Sequence, residues 1–373
     1  MPLPYQDAPR LADLTTLGVG GSAERLYQPL TARETVELVQ EARNEERPLL
    51  PIGSGSNLLC ADDGFDGWLV RSANWSMEVE YIDKPRVRLH VGAGVDWDEL
   101  VTFAVTERFA GLECLSGIPG LAGAAPIQNI GAYGAEVSDL VHAVDVVDRR
   151  TGLPMRLAGS TCGFGYRSSR FKEEWRGKYL ITGLSLNLVL GGEAKIAYAE
   201  VRELLGLRDG GGAPPLAEVR DAVLALRARK SMLLRADDSN RRSAGSFFVN
   251  PVVSSDAAER VRARANGTPM PAWPTDDGAV KLSAAWLIQH AGFARGHSFG
   301  AAALSSRHTL ALINRGDATA SDLIDAARTI RDGVLHRWGV RLHAEPEFVG
   351  FHDHPLDVPS RSDAPLLGTL EPE

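Results

Sequence analysis

The chain has 373 residues, 44% of them apolar and 24% charged, with a formal net charge of −8. That length exceeds one compact core and implies two or three domains of ordinary globular composition. The acidic balance excludes a general binder of nucleic acid or anionic membrane, so any ligand phosphate must be met by backbone N–H groups or a few placed cations.

Taken in chain order, the residues before 31 show no basic segment followed by an apolar one, so no secretory signal is read. Thr31 and Glu34 have capping-box spacing, and Val36, Leu38, Val39 and Ala42 form an apolar face, which predicts a helix over 31–43. Arg47 to Ile52 reads as a short strand that runs into Gly53-Ser54-Gly55-Ser56-Asn57. Leu58-Leu59 and Trp68-Leu69-Val70 then complete a small α/β unit. The turn is either an anion nest of backbone N–H groups or a tight turn that binds nothing. It is no Walker loop, because no Gly-Lys-Ser/Thr follows.

Val87 to Val91 alternates as a strand and leads into Gly92-Ala93-Gly94, which lacks the third glycine of a Rossmann fingerprint. A helix is expected over 98–108. Six glycines (111, 117, 120, 123, 131 and 134) then fall within 24 residues whose only charge is Glu113. A linker would be polar; an apolar, glycine-rich loop of this length suits backbone laid against a large flat ligand. Strands are expected at 143–147 and 180–190. Residues 208–215 are the sharpest break in composition and mark a domain boundary. Helices follow over 216–230 and 321–338, and beyond Pro355 the chain reads as a loose tail.

Cys60, Cys114 and Cys162 are odd in number and widely spaced, suggesting neither a disulfide framework nor a zinc motif. His352-Asp353-His354 lacks further ligands nearby, so no metal is expected. With no apolar run near the roughly 18 residues that span a bilayer, a cytoplasmic protein is expected. Two motifs have bland readings beside functional ones. Gly165-Tyr166-Arg167 is a basic edge or a cation beside an aromatic, and Gly245-Ser246-Phe247-Phe248 is a buried strand end or a placed hydroxyl.

The order of these motifs is more specific than any one of them. Gly-Val-Gly-Gly at 18–21, Gly-Ser-Gly-Ser-Asn at 53–57, the loop ending Pro-Ile-Gln-Asn-Ile-Gly-Ala-Tyr-Gly at 126–134, Gly-Tyr-Arg at 165–167, Gly-Ser-Phe-Phe at 245–248 and Glu-Pro-Glu at 345–347 occur together. Over residues 8–352 the chain resembles the UDP-N-acetylenolpyruvoylglucosamine reductases, the longer type with a substrate-closing tyrosine loop.

The resemblance implies an α+β protein, with a two-part FAD-binding unit of the vanillyl-alcohol-oxidase (PCMH) type and a separate α+β substrate-binding domain. The FAD-binding subdomains are expected at 1–75 and 76–212, and the substrate domain at 213–339. A strand within 340–352 should rejoin the first subdomain, and 355–373 form a Pro-rich tail. FAD is implied to lie along Gly53, Ser54, Gly55, Ser56, Asn57 and Leu58. It is also implied to meet Ser116, Ile118, Pro119, Gly120, Gly123, Ala124, Gln128, Asn129, Gly131, Ala132, Tyr133 and Gly134. The first loop ends in Asn57 and has no histidine, so non-covalent FAD is expected, with NADPH as co-substrate.

Arg167 with Glu347 is implied to polarise the substrate carboxylate, and the Ser246 hydroxyl to deliver a proton. Tyr166, Tyr198, Lys230 and Asn250 are implied substrate contacts, and His290 stands where the family often has glutamine. The implied partner is a small UDP-sugar, bound by a monomer. Two rivals stay open: an oxidase on the same FAD scaffold, and a UDP-sugar binding protein without catalysis. Yellow colour discriminates against the second, and peroxide formation identifies the first.

Overall fold

The protein is described here by a computed structural model covering residues 3–208, 212–275 and 277–357. They form two compact units. The first holds the described residues up to Arg10, 22–56 and 65–236, and the second holds 11–21, 57–64 and the described residues from 237 onward.

In the first unit, Phe65–Val70 is flanked by parallel strands Ala23–Tyr27 and Leu49–Pro51, and Tyr5–Asp7 pairs antiparallel at the edge. Parallel strands of one sheet need a crossover. From Ala23–Tyr27 to Leu49–Pro51, on the two sides of Phe65–Val70, it is made by the helix Ala32–Asn44. Its start is set locally: Thr31 accepts the Glu34 N–H, and the Glu34 carboxylate accepts the Leu30 N–H. Leu38, Val39 and Ala42 then pack on Tyr27, Leu49 and Trp68. Leu58-Leu59 does not join this sheet as expected. The central position goes to Gly67-Trp68-Leu69-Val70, all buried, while Leu58–Cys60 pairs in parallel with Glu347–Val349 in the second unit. The returning strand therefore meets the segment that follows the 53–57 turn, and both lie in the second unit.

An antiparallel sheet completes the first unit, in the order Pro154–Ala158, Val141–Asp148, Tyr179–Leu190, Arg86–Gly92, Met77–Asp83. Val87, Leu89 and Val91 face inward with Leu184, Leu186 and Leu188, covered by the helix Trp97–Thr106. The other face is polar, as a one-sided antiparallel sheet permits; His90 there lies 2.9 Å from Ser185 Oγ and 3.1 Å from Glu80 Oε2.

The helix Leu216–Arg229 belongs to this unit and does not open a new domain. Val219, Ala222, Val223 and Leu226 pack with Cys114 and Val201, and the compact division falls between Ala236 and Asp237. Composition marks the break at 208–215, of which 209–211 lie outside the described residues, but the apolar face of the following helix decides which core it joins.

The second unit builds one core from the helices Ser255–Arg264, Ala284–His290 and Ala320–Trp338 and short antiparallel strands, centred on Phe247, Phe248, Leu287, Leu312 and Leu323. Thr319 and Asp322 form a capping box at the start of the last helix, and Gly339 ends it at φ +70°. The chain is still packed just past Pro355, the expected start of the loose tail. Leu356 is 3% exposed, and Arg328 Nε donates to the Pro355 carbonyl at 2.9 Å. Residues 358–373 of that tail lie outside the described ones.

Candidate active site

In the first unit, the 53–56 turn lies against the glycine-rich loop. A Cβ built on Gly53 would stand 3.4 Å from the Ala124 Cβ, and Ser56 Oγ donates to the Pro119 carbonyl at 2.9 Å. The Ser54 hydroxyl is buried with no hydrogen-bond partner among the described residues. A buried hydroxyl left so costs about 1–3 kcal/mol, which a phosphate oxygen would offset. A small-residue turn with an orphaned hydroxyl, facing an apolar loop, fits the pyrophosphate of a dinucleotide. Asn57 and Leu58, expected to share this role, belong to the second unit.

The loop is held from behind. A Cβ on Gly123 would fall 2.6 Å from the Ala93 Cβ and 3.1 Å from its carbonyl oxygen. Gly123→Ala is accordingly expected to destabilise the apo-protein by about 1–3 kcal/mol, read from its urea unfolding midpoint. Two residues assigned to the cofactor use their side chains on the protein instead. Ser116 is fully buried and donates to the Glu113 carbonyl at 2.7 Å. Asn129, also fully buried, donates to Glu136 at 2.7 Å and to the Gly165 carbonyl at 2.9 Å, and accepts the Ser138 N–H. These two side chains position the backbone of the loop.

Asn129 also links the loop to the Gly165–Ser168 turn, which two reciprocal backbone hydrogen bonds close. Arg167 sits in that turn at φ +53°, a conformation that costs a residue with a Cβ about 1–2 kcal/mol. Its guanidinium donates to the Gly131 carbonyl at 2.6 Å and to that of Asn129 at 3.4 Å, and lies 5.5 Å from the centre of the Tyr166 ring. Backbone strain and two anchoring carbonyls aim this cation from the loop edge.

A third group gathers near Tyr133. Its ring meets Tyr198 edge-on at 5.3 Å, and the Lys230 ammonium lies 5.9 Å from its centre and 2.6 Å from Glu200 Oε2. Burial, with Glu200 and Tyr198 adding to it against Arg227, pushes the Tyr133 phenol up to about 12, so it stays a neutral hydrogen-bond donor. Glu200 and Arg227 carry no motif. The one sequence signal for Arg227 is its position three residues before Lys230, on the same helix face.

In the second unit, Ser246 is fixed on both sides. Gly245 turns the chain at φ +71°; the next residue, Phe247, donates to the Leu310 carbonyl at 2.7 Å and accepts the Glu345 N–H at 2.9 Å. Phe248 bridges Ala344. The Glu347 N–H donates to the Asn57 carbonyl at 2.9 Å, and Asn57 Nδ2 to the Glu345 carbonyl at 3.3 Å. One run of backbone pairing thus gathers Ser246, Glu347, Asn57 and Leu58. Asn250 Oδ1 accepts the Ala284 N–H at 2.9 Å at the start of the helix that carries His290. His290 itself stacks on Trp286 at 4.1 Å with Nδ1 2.9 Å from the Trp286 carbonyl.

Among the described residues no helix is long and apolar enough to cross a membrane, and no cluster of three or more His, Cys, Asp or Glu is placed to hold a metal. All three cysteines are free and buried. Burial pushes Cys60 and Cys114 up to about 12 and Cys162 to about 11. At about pH 8 the thiolate fraction is then on the order of 10⁻³ or less. A thiol-disulfide reagent is expected to leave native protein unlabelled and to react with all three after unfolding.

Residues 23–158 match the family model of the FAD binding domain, and residues 237–349 match that of the UDP-N-acetylenolpyruvoylglucosamine reductase C-terminal domain. The chain is an FAD-binding protein, and the residues matched by that model lie in the first unit except 57–64. A UDP-N-acetylenolpyruvoylglucosamine reductase of Thermobifida fusca is 44% identical over 347 residues, 91% of this chain and 96% of that one. One of Nocardia farcinica is 46% identical over 352 residues, 92% of this chain and 90% of that one. The crystal structure of the Thermus caldophilus reductase matches with a TM-score of 0.63 at 26% identity, covering 93% of this chain and 99% of that one. The chain belongs to the UDP-N-acetylenolpyruvoylglucosamine reductase family.

Proposed function

We propose that this chain uses NADPH and non-covalent FAD to reduce the enolpyruvyl double bond of UDP-N-acetylglucosamine enolpyruvate, giving UDP-N-acetylmuramate for peptidoglycan precursors. The reading is carried by the 44% identity that spans 91% of the chain to a relative of that name.

FAD, when bound, supplies the hydride to the methylene carbon of the substrate. Negative charge then builds on the neighbouring carbon and its carboxylate, and this chain's residues meet that charge. Arg167, with Glu347, holds and polarises the carboxylate. Ser246 Oγ–H hands its proton to the carbanionic carbon. Serine is a weak acid, so its usefulness depends on a fixed position, consistent with the backbone bonds on either side of Phe247. The Ser54 hydroxyl and the N–H groups of the 53–57 turn hold cofactor phosphate. Tyr166, Tyr198, Lys230, Asn250 and His290 take the UDP-sugar. The acidic net charge and the three free, buried cysteines support a cytoplasmic enzyme without nucleic-acid or membrane partners, and a monomer is part of the same reading.

Anaerobic stopped-flow tests the reading. The yellow protein is bleached with NADPH and mixed with the enolpyruvyl UDP-sugar while flavin absorbance is followed. Return of colour without oxygen is the expected result. Colour that returns only when oxygen enters would overturn it in favour of an oxidase on the same scaffold.

A further inference from the structure

Gly117 lies at the start of the loop assigned to FAD, and its backbone N–H and its carbonyl, which belong to the two successive peptide groups around it, are each held by a charged side chain. Its N–H donates to Asp98 Oδ1 at 2.5 Å, and its carbonyl accepts from Arg227 Nε at 3.0 Å. Asp98 does not act alone. Arg220 grips both of its oxygens, Nη1 to Oδ1 and Nη2 to Oδ2, each at 2.7 Å. Arg227 spends a second nitrogen, Nη2, on the Met232 carbonyl at 2.8 Å. The helix Leu216–Arg229 therefore reaches both peptide groups that flank the Gly117 Cα, through Arg220 by way of Asp98 and through Arg227 directly. Gly117 is in the left-handed region at φ +70°, where a Cβ would fall 2.6 Å from Leu233 Cδ2 and 2.8 Å from Leu224 Cδ2. The helix Trp97–Thr106 adds two more ties: the Trp97 N–H donates to the Gly120 carbonyl and its indole N–H to the Leu115 carbonyl, both at 3.0 Å.

We propose that Asp98, Arg220 and Arg227 are positioning residues that preset the backbone on both sides of Gly117, and with it the 116–120 segment, for FAD. The proposal rests on the reading of that loop as cofactor-binding. A loop rich in glycine and proline has few side chains with which to fix itself. Left loose, it would have to be ordered when the cofactor binds, and affinity would fall by that ordering cost. A bidentate guanidinium–carboxylate pair sets direction as well as distance, so it can orient the one carboxylate that takes the Gly117 N–H. None of the three residues needs to touch FAD for this.

The test is the dissociation constant of FAD for the apo-protein of full length, measured by flavin fluorescence on titration. It is run beside visible circular dichroism of the reloaded protein and thermal unfolding of the apo form. Asp98→Ala and Arg220→Ala are each expected to raise the constant about tenfold or more, with the double variant no weaker than the worse single one, because the two act as one unit. Arg220→Lys keeps the charge but not the fork, and should recover only part of the loss; Asp98→Asn keeps the acceptor for Gly117, and should recover more. A purely structural role would lower the apo unfolding temperature while leaving the constant within twofold of wild type, and that result overturns the proposal. If an alanine variant does not fold, the Asn and Lys variants decide by the same criterion. Wild-type protein that takes up no FAD at all would instead overturn the flavin reading of the loop, and the proposal with it.

Discussion

Ser246→Ala is expected to slow colour return on mixing with the enolpyruvyl substrate by about 10²–10⁴, the usual worth of a positioned proton donor. Bleaching by NADPH needs no proton from this residue and should keep its wild-type rate. That split between the two half-reactions separates a lost proton donor from a damaged fold. Stability should move little, within about 0.5 kcal/mol, since Ser246 is only partly buried and its segment is held by the buried rings of Phe247 and Phe248, 1% and 2% exposed. Ser246→Cys keeps a dissociable proton in nearly the same place and should recover part of the rate. If Ser246→Ala restores colour as fast as wild type, another group delivers the proton.

Arg167→Lys is expected to lower kcat by about 10²–10³, the range seen when one fixed stabiliser of developing charge is removed. The charge survives this substitution; the geometry does not. Two guanidinium nitrogens of Arg167 anchor on the carbonyls of Gly131 and Asn129, which sets the direction of the planar fork. An ammonium is a single point on a flexible stem and cannot make both anchors and still present a flat donor pair to a carboxylate. Lysine meets the same backbone penalty at φ +53°, so the backbone itself contributes no change in unfolding. Near-wild-type kcat in Arg167→Lys would mean that charge alone suffices and that the anchoring has no catalytic purpose.

Local chemistry made several elements readable in advance. The Thr31–Glu34 cap appears where its spacing puts it, and the alternation at 87–91 becomes the strand Arg86–Gly92. The helix expected at 321–338 is Ala320–Trp338. Each of these depends on contacts a few residues apart, or on one apolar face of fixed period. The short strands at 272–274, 298–299 and 302–304 gave no comparable signal, because two or three residues cannot establish a period.

The amino-acid order by itself determined that this is a flavin-binding reductase of one family, and it singled out the motifs proposed to face its ligands: the 53–57 turn, the 116–134 loop, Gly-Tyr-Arg, Gly-Ser-Phe-Phe and Glu-Pro-Glu. Small residues, an aimed cation and a lone hydroxyl are chemical requirements, and they are written in residue types. Only the tertiary structure decided which partners those residues have. It sent Leu58–Cys60 to Glu347–Val349 and away from the neighbouring sheet. It assigned the helix Leu216–Arg229 to the first core, past a composition break that suggested otherwise. It turned the side chains of Ser116 and Asn129 inward, and it paired Asp98 with Arg220 across 122 residues of chain. Such pairings have no local signature, because the energy that selects them, burial of an apolar face or neutralisation of a half-buried charge, exists only once distant segments are packed together.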